Sequence, residues 1–365
     1  MNRALRLPIL LLFFFSGTLL SPAFSQKYSN EFLNIGVGAR AQGLGNSVIA
    51  NIGDITAAAW NPAGLAGISP DKGLQIGAMH SEWFAGVGKF DYLGFSLPLA
   101  NSERRIGVSL IRFGIDEIPN TLSLYEDDGT VNFDNLREFS AADYALLLSY
   151  AQPLKTKSGK LLIGGNVKVI HRRIGPFATA WGFGLDAGIQ YQNGNWQLAA
   201  VVKDITSTFN AWAFNFTERE KEVLELTNNE IPISSVEVTK PQLTLGAARR
   251  FQWNKVGLTP ELDVVVTTDG KRNTLISSSP FSIDPAFGVE ADYNQFLFLR
   301  AGVNQFQRIT DFDGEKSLTL RPAFGVGLVI SGLHIDYAFT DPGDSQNLYS
   351  HVISLLLNVK PKKRE

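Results

Sequence analysis

The ten residues FGLDAGIQYQ, Phe183–Gln192, place a large or apolar side chain at every second position. On an extended chain Phe183, Leu185, Ala187, Ile189 and Tyr191 share one face, while Gly184, Asp186, Gly188, Gln190 and Gln192 share the other. A helix would scatter the two sets around its circumference; a strand separates them. The same period recurs in FGVEADYN (Phe287–Asn294) and LHIDYAFT (Leu333–Thr340). These are strands with one greasy and one polar face.

Extending that pattern along the chain marks fourteen candidate strands, near residues 74–80, 89–97, 105–113, 142–152, 160–171, 179–191, 195–204, 239–250, 255–267, 283–293, 295–305, 318–330, 332–340 and 348–359. Most approach the roughly 9–11 residues that a tilted strand needs to cross a bilayer. Turn pairs such as Asn193-Gly194 and Ser331-Gly332 join many of them, and these short connections alternate with long segments at 114–141, 205–238 and 268–282. The expected fold is therefore all-β, a transmembrane antiparallel β-barrel of about 14 strands. A secreted sandwich or propeller is the competing architecture, but its strands would be shorter and a sandwich would use only part of the chain. Trp83, Phe84, Phe90, Tyr92, Tyr191, Trp196, Phe251, Trp253 and Tyr293 lie near strand ends, where they suit the two interfacial girdles of such a barrel.

The N-terminus agrees with an exported protein. Arg3 and Arg6 precede an apolar run from Leu7 to Leu20, and Ala23-Phe24-Ser25 offers a cleavage site that would leave Gln26 first. No later segment is apolar enough for a spanning helix. The 365 residues include no cysteine, which excludes a disulfide framework and a lipoprotein anchor. A net charge of −2 with mixed signs gives no electrostatic footprint for nucleic acid. The expected organisation is a signal peptide (1–25), an N-terminal plug or hatch (26–73), the barrel (74–359) and a basic tail (360–365).

Between signal and barrel stands NIGVGARAQGLGNSVIANIGDITAAAWNPAGLAGI, Asn34–Ile68. Its glycines lack the strand-to-helix context of a phosphate loop, and no Gly-Lys-Ser/Thr follows them. Ile35, Val37, Leu44, Val48, Ile49 and Ile52 demand burial, which excludes a linker. Asp54 suits a helix cap and Pro62 the start of a second turn. Small residues that approach a wall closely suit a plug, with Trp60, Asn61, Pro62, Ala63 and Gly64 as its tight turn.

Catalytic constellations are scarce. His80, His171, His334 and His351 fall on four separate strands with no serine elbow, zinc-binding helix or cysteine nucleophile, so no enzyme, cofactor or metal site is expected. His334, Asp336, Glu290, Asp292, Arg300, Asp186 and Lys168 are expected to face the lumen and pair there. DFDGE at 311–315 lacks the later ligands of a calcium loop and reads as a hairpin turn. The long segments carry Leu122, Leu124, Tyr125, Phe209, Trp212, Phe214 and Phe216 among charges, and Thr217 with Glu220 forms a capping box before Val223, Leu224 and Leu226. Phe209, Trp212, Phe214, Phe216 and Leu224 are the candidate partner-binding loop, the alternative being loops folded over the barrel mouth.

The GARAQGLG element, the D-x-x-A-x-x-W-N-P-A-G-L-A element and the strand count together resemble the PorV/PorQ family of outer-membrane proteins, itself similar to FadL-type barrels. The resemblance implies residence in the outer membrane of a Gram-negative bacterium of the Bacteroidota. It further implies a part in type IX secretion, with partners among the translocon, cargo proteins bearing C-terminal sorting domains, outer-membrane lipid, lipopolysaccharide or a hydrophobic ligand. Such barrels usually end on an aromatic residue, whereas this chain continues past Val359 into KPKKRE. The alternative function is a FadL-type transporter of hydrophobic compounds, which would need a pocket beneath the loops and a hatch that moves.

Overall fold

The computed structural model describes residues 29–360, except 85, 100–101, 127, 232–233, 311–312, 315 and 341–349. The expected signal peptide, the terminus at Gln26, the tail beyond 360 and part of the DFDGE turn lie outside the described residues.

Strands β1 (Leu74–Trp83), β2 (Gly88–Pro98), β3 (Arg105–Asn120), β4 (Arg137–Leu154), β5 (Lys160–Ile174) and β6 (Ala178–Asn193) follow one another as antiparallel neighbours. β7 (Trp196–Lys203) and β8 (Thr208–Phe214) are two halves of one stave, since β6 pairs with both. β9 (Ser234–Thr239) and β10 (Gln242–Arg249) run back beside those halves, and β11 (Phe251–Trp253) prolongs β10. β12 (Val256–Thr267), the short β13 (Ile276–Ser277), β14 (Ser282–Tyr293), β15 (Leu297–Thr310), β16 (Lys316–Ile330), β17 (Leu333–Thr340) and β18 (Ser350–Val359) complete the sheet. β18 pairs with β1, so the sheet closes on itself as fourteen antiparallel staves. The connections at 194–195, 254–255 and 331–332 lie at one end; those at 121–136, 215–233 and 268–281 lie at the other.

The alternation is inside out relative to a soluble protein. Phe183 is 62% exposed on the outer wall, whereas Asp186 is 7% exposed and Gln190 fully buried within the ring. Leu93, Phe95 and Leu97 of β2 face outward in the same way, opposite buried Ser96. An apolar outer band is favourable only against hydrocarbon, and a closed ladder leaves no backbone group to desolvate there. A sandwich core would bury these residues.

Two differences from the sequence expectation follow from register. Phe90 and Tyr92 sit inside the barrel rather than in a girdle, because β2 turns Leu93 and Phe95 to the outside and the alternating positions must point inward. Trp196, Trp253 and Tyr293 do lie exposed at the short-turn end. The expected loop at 205–238 also contains strand: after a bulge at 204–207, with Asp204 and Ser207 in the left-handed region, the stave resumes as β8 and returns as β9. Bulges re-aim a strand without ending its pairing.

Candidate functional site

Residues 29–72 form short turns: Glu31–Asn34, helix α1 (Ala39–Gly43), helix α2 (Ala57–Trp60), and 3-10 turns at Pro62–Gly67 and Pro70–Lys72. Helices of four and five residues are not stable by themselves. Here the barrel wall supplies partners to the segment's backbone, chiefly between the two helices. The amides of Val48 and Ile49 donate to Asp263 Oδ2 at 2.8 and 3.1 Å, and that of Ala50 to Glu261 Oε1 at 2.6 Å. Across the ring, Ile55 N–H donates to Gln75 Oε1 at 2.6 Å and Asn166 Nδ2 donates to the Ala58 carbonyl at 2.7 Å. The segment thus bonds to β1, β5 and β12, on well-separated parts of the ring.

Asn61 is the pivot of the WNPAG turn. Its buried side chain donates to the carbonyls of Ile49 and Ile189 at 3.0 and 3.1 Å and accepts from Ala63 N–H at 3.2 Å. Its extended backbone, with φ −145° and ψ 101°, is what a residue before proline adopts, and Pro62 opens the next turn. Trp60 Nε1 donates to the Val37 carbonyl at 2.8 Å, tying the turn to the start of the segment. Close approach requires glycine at two wall positions: a Cβ on Gly164 would strike the backbone of Pro62–Ala63, and one on Gly302 that of Leu44–Gly45.

Charges inside the ring meet one another. Arg40 of α1 reaches Glu290 at 2.9 Å; Arg300 holds the same carboxylate at 2.7 Å and Asp336 at 2.6 Å. Lys168 lies between Asp186 and Asp204 at 3.0 and 2.6 Å, and Arg250 binds Asp292 at 2.8 Å. Of the lumenal set named from sequence, Asp336, Glu290, Asp292, Arg300, Asp186 and Lys168 are thereby brought into paired networks. The histidines are dispersed: His80 lies against Asp91 at 2.7 Å and His351 against Tyr337 Oη at 2.7 Å, both exposed.

Beside the segment is a cavity of about 340 Å³, lined by Trp60, Lys203, Asp263, Asp284, Arg272 and Gln305 among others. Ile49, Val265, Pro285 and Ala286 add apolar wall. Lys203 Nζ stands 5.5 Å from the centre of the Trp60 ring, and Arg272 bridges Glu31 at 3.0 Å and Asp269 at 2.6 Å. Glu261 and Asp263 were not singled out from sequence; their signal was two carboxylates two residues apart on the inward face of a strand.

The residues of the candidate partner loop are placed largely on the wall. Phe209 is exposed on the outer side of β8, while Trp212 is buried beside Ala178 and Ala180 with Arg172 over its ring. Phe214 stacks on Trp212 and on Phe216, and Phe216 on Phe177. Leu224 is half-buried on helix α3 (Glu218–Leu226), which opens with the expected Thr217–Glu220 capping box. Alternation in TFNAWAF, which buries Thr208, Asn210 and Trp212, was the signal that this stretch is strand.

No protein-family model matches the chain, and no curated protein does. Solved structures do. The Pseudomonas putida toluene transporter TodX is 14% identical, aligned over 89% of this chain and 98% of that one with a TM-score of 0.53. The Ralstonia pickettii toluene transporter TbuX (13%, 88% and 98%, TM-score 0.51) and a Pseudomonas aeruginosa FadL homologue (12%, 88% and 97%, TM-score 0.51) are similar in the same way. None of these comparisons supports the resemblance to PorV/PorQ or a link to type IX secretion. The chain has the closed fourteen-stranded fold of FadL-type outer-membrane barrels.

Proposed function

We propose that the protein is an outer-membrane channel of a Gram-negative bacterium, non-catalytic, that admits small hydrophobic or amphiphilic compounds, with residues 34–68 as its hatch. The observation that carries this reading is the cavity of about 340 Å³ bounded on one side by that segment and on the other by the wall. A segment seated on the wall through side-chain hydrogen bonds can leave its seat without unfolding the barrel, because the staves pair only with one another. The fold likeness to TodX and TbuX, both toluene transporters by description, supports the same reading over the type IX role. The surface role retains one observation in its favour, the exposed Phe133 and Leu226 of the long loops.

Uptake tests it. In a Gram-negative host lacking its own hydrocarbon channels, expression of the protein should raise entry of radiolabelled ethylbenzene, and a disulfide locking the hatch to the wall should abolish the gain. Uptake equal to that of the empty host would overturn the proposal, and co-purification with secretion components would then favour the surface role.

A further inference from the structure

The cavity is flanked by neutral carboxamides. A site for hydrocarbon alone would be lined by apolar side chains with few polar groups. Here the apolar part is a strip, Val265 and Ala286 on the inward faces of β12 and β14, with Leu33 and Trp60 of the N-terminal segment around the same space. Beside that strip stand Gln242 on β10, which neighbours β12, and Asn304, Gln305 and Gln307 on β15, which neighbours β14. These four side chains are half-buried, and among the described residues none gives them a hydrogen bond. Their amide atoms are not sealed from the cavity either. The charged groups differ. Arg272 is held by Glu31 and Asp269, Asp263 accepts the Val48 and Ile49 amides, Arg321 stands beside Asp284, and Lys203 lies over the Trp60 ring. Charge is answered inside the protein, whereas neutral hydrogen-bonding capacity is left over. A carboxamide both donates and accepts, and the group that answers it in both senses is a hydroxyl.

From this geometry we infer that the cavity is a binding site for a small neutral glycoside, whose sugar hydroxyls are shared between Gln242 on one flank and Gln305 and Gln307 on the other, and whose apolar part lies against Trp60 and Leu33. This rests on the channel reading and narrows its substrate class to amphiphiles rich in hydroxyls. The volume, about 340 Å³, equals that of roughly eleven waters in the liquid, room for one pyranose with a small aglycone. An adjoining cavity of about 230 Å³ shares Asn304 and Gln305 and extends the space. A hydrocarbon of the same shape is disfavoured, since it would strip water from the carboxamides and return no hydrogen bond. A charged sugar is disfavoured too, because its charge would be desolvated beside groups that already have partners.

The test is calorimetric titration of the intact barrel in nanodiscs, with empty nanodiscs as the blank. The probes share one two-ring shape: phenyl β-glucoside, phenyl β-glucuronide, and cyclohexyl phenyl ether, which lacks the hydroxyls. The glucoside should bind at least about tenfold more tightly than either of the others, as expected when two or more hydrogen bonds are gained. Gln242→Leu and Gln307→Leu remove no side-chain hydrogen bond of the folded protein, so the barrel stays intact. Each should weaken the glucoside by about fivefold or more, the worth of one hydrogen bond, and leave the ether unchanged. A smaller margin over either comparison probe, a smaller loss in either variant, or an ether affinity that falls in parallel would overturn the inference. Its failure is separable from that of the channel. Ethylbenzene uptake without glucoside binding sinks the glycoside site alone, whereas glucoside binding by a protein that carries neither compound into cells supports the site and sinks the channel.

Discussion

Replacing Asn61 by alanine should unseat residues 34–68 from the wall while sparing the barrel. The side chain is fully buried and makes three hydrogen bonds, to the Ile49 and Ile189 carbonyls and from the Ala63 amide. Ile49 O would keep a second donor, Gln190 Nε2 at 3.0 Å, so its loss is small. The Ala63 amide loses its acceptor in the turn, and the Ile189 carbonyl, in the paired ladder of β6, loses its side-chain donor. At about 1 kcal/mol net per bond, with the larger cost falling on the groups left unsatisfied, the seated state loses about 2–3 kcal/mol. Since about 1.4 kcal/mol is a factor of ten, the unseated population should rise about 30- to 150-fold. The assay is amide hydrogen exchange, read by mass spectrometry on the protein in nanodiscs. Peptides covering 48–64 should lose protection by that factor, while peptides from β2 to β5 keep theirs and the barrel retains its heat-modifiable mobility on a gel. Protection of 48–64 within threefold of the parent would refute the argument, because Asn61 would then not be what seats the turn.

Lys168→Met should destabilise the barrel by about 3–5 kcal/mol, since it strands two buried carboxylates, Asp186 and Asp204, beside the bulge; an unchanged urea midpoint would contradict this. Gly302→Val should push Leu44–Gly45 off the wall at a cost of about 1–3 kcal/mol, because even a Cβ there meets that backbone within 3.0 Å; it should speed exchange at 43–50, and parental exchange rates would show that the close approach is dispensable. Deleting 217–227, the exposed loop helix, should leave folding and ethylbenzene uptake intact; loss of uptake would mean that the loop, rather than the hatch, gates entry.

What the sequence determined by itself is local and periodic. Alternation at 183–192, 287–294 and 333–340 follows from the pleat, which sends successive side chains to opposite faces, and it sufficed to mark all fourteen staves. Asn-Pro at 61–62 likewise announced its own turn through the restriction that proline places on its neighbour. Tertiary structure decided what no local rule contains. A period of two has no sign, so the inward placement of Phe90 and Tyr92 depended on which face the closed ring turned to solvent-free hydrocarbon. The stave through Thr208–Phe214 looked like loop because the bulge at 204–207 breaks the period, and only pairing with β6 and β9 restores it. Above all, the carboxylates of Glu261 and Asp263 acquired their role from amides more than two hundred residues earlier. That meeting exists only because the sheet closes around the segment, bringing distant chain into a space where an unpaired donor or acceptor finds no water.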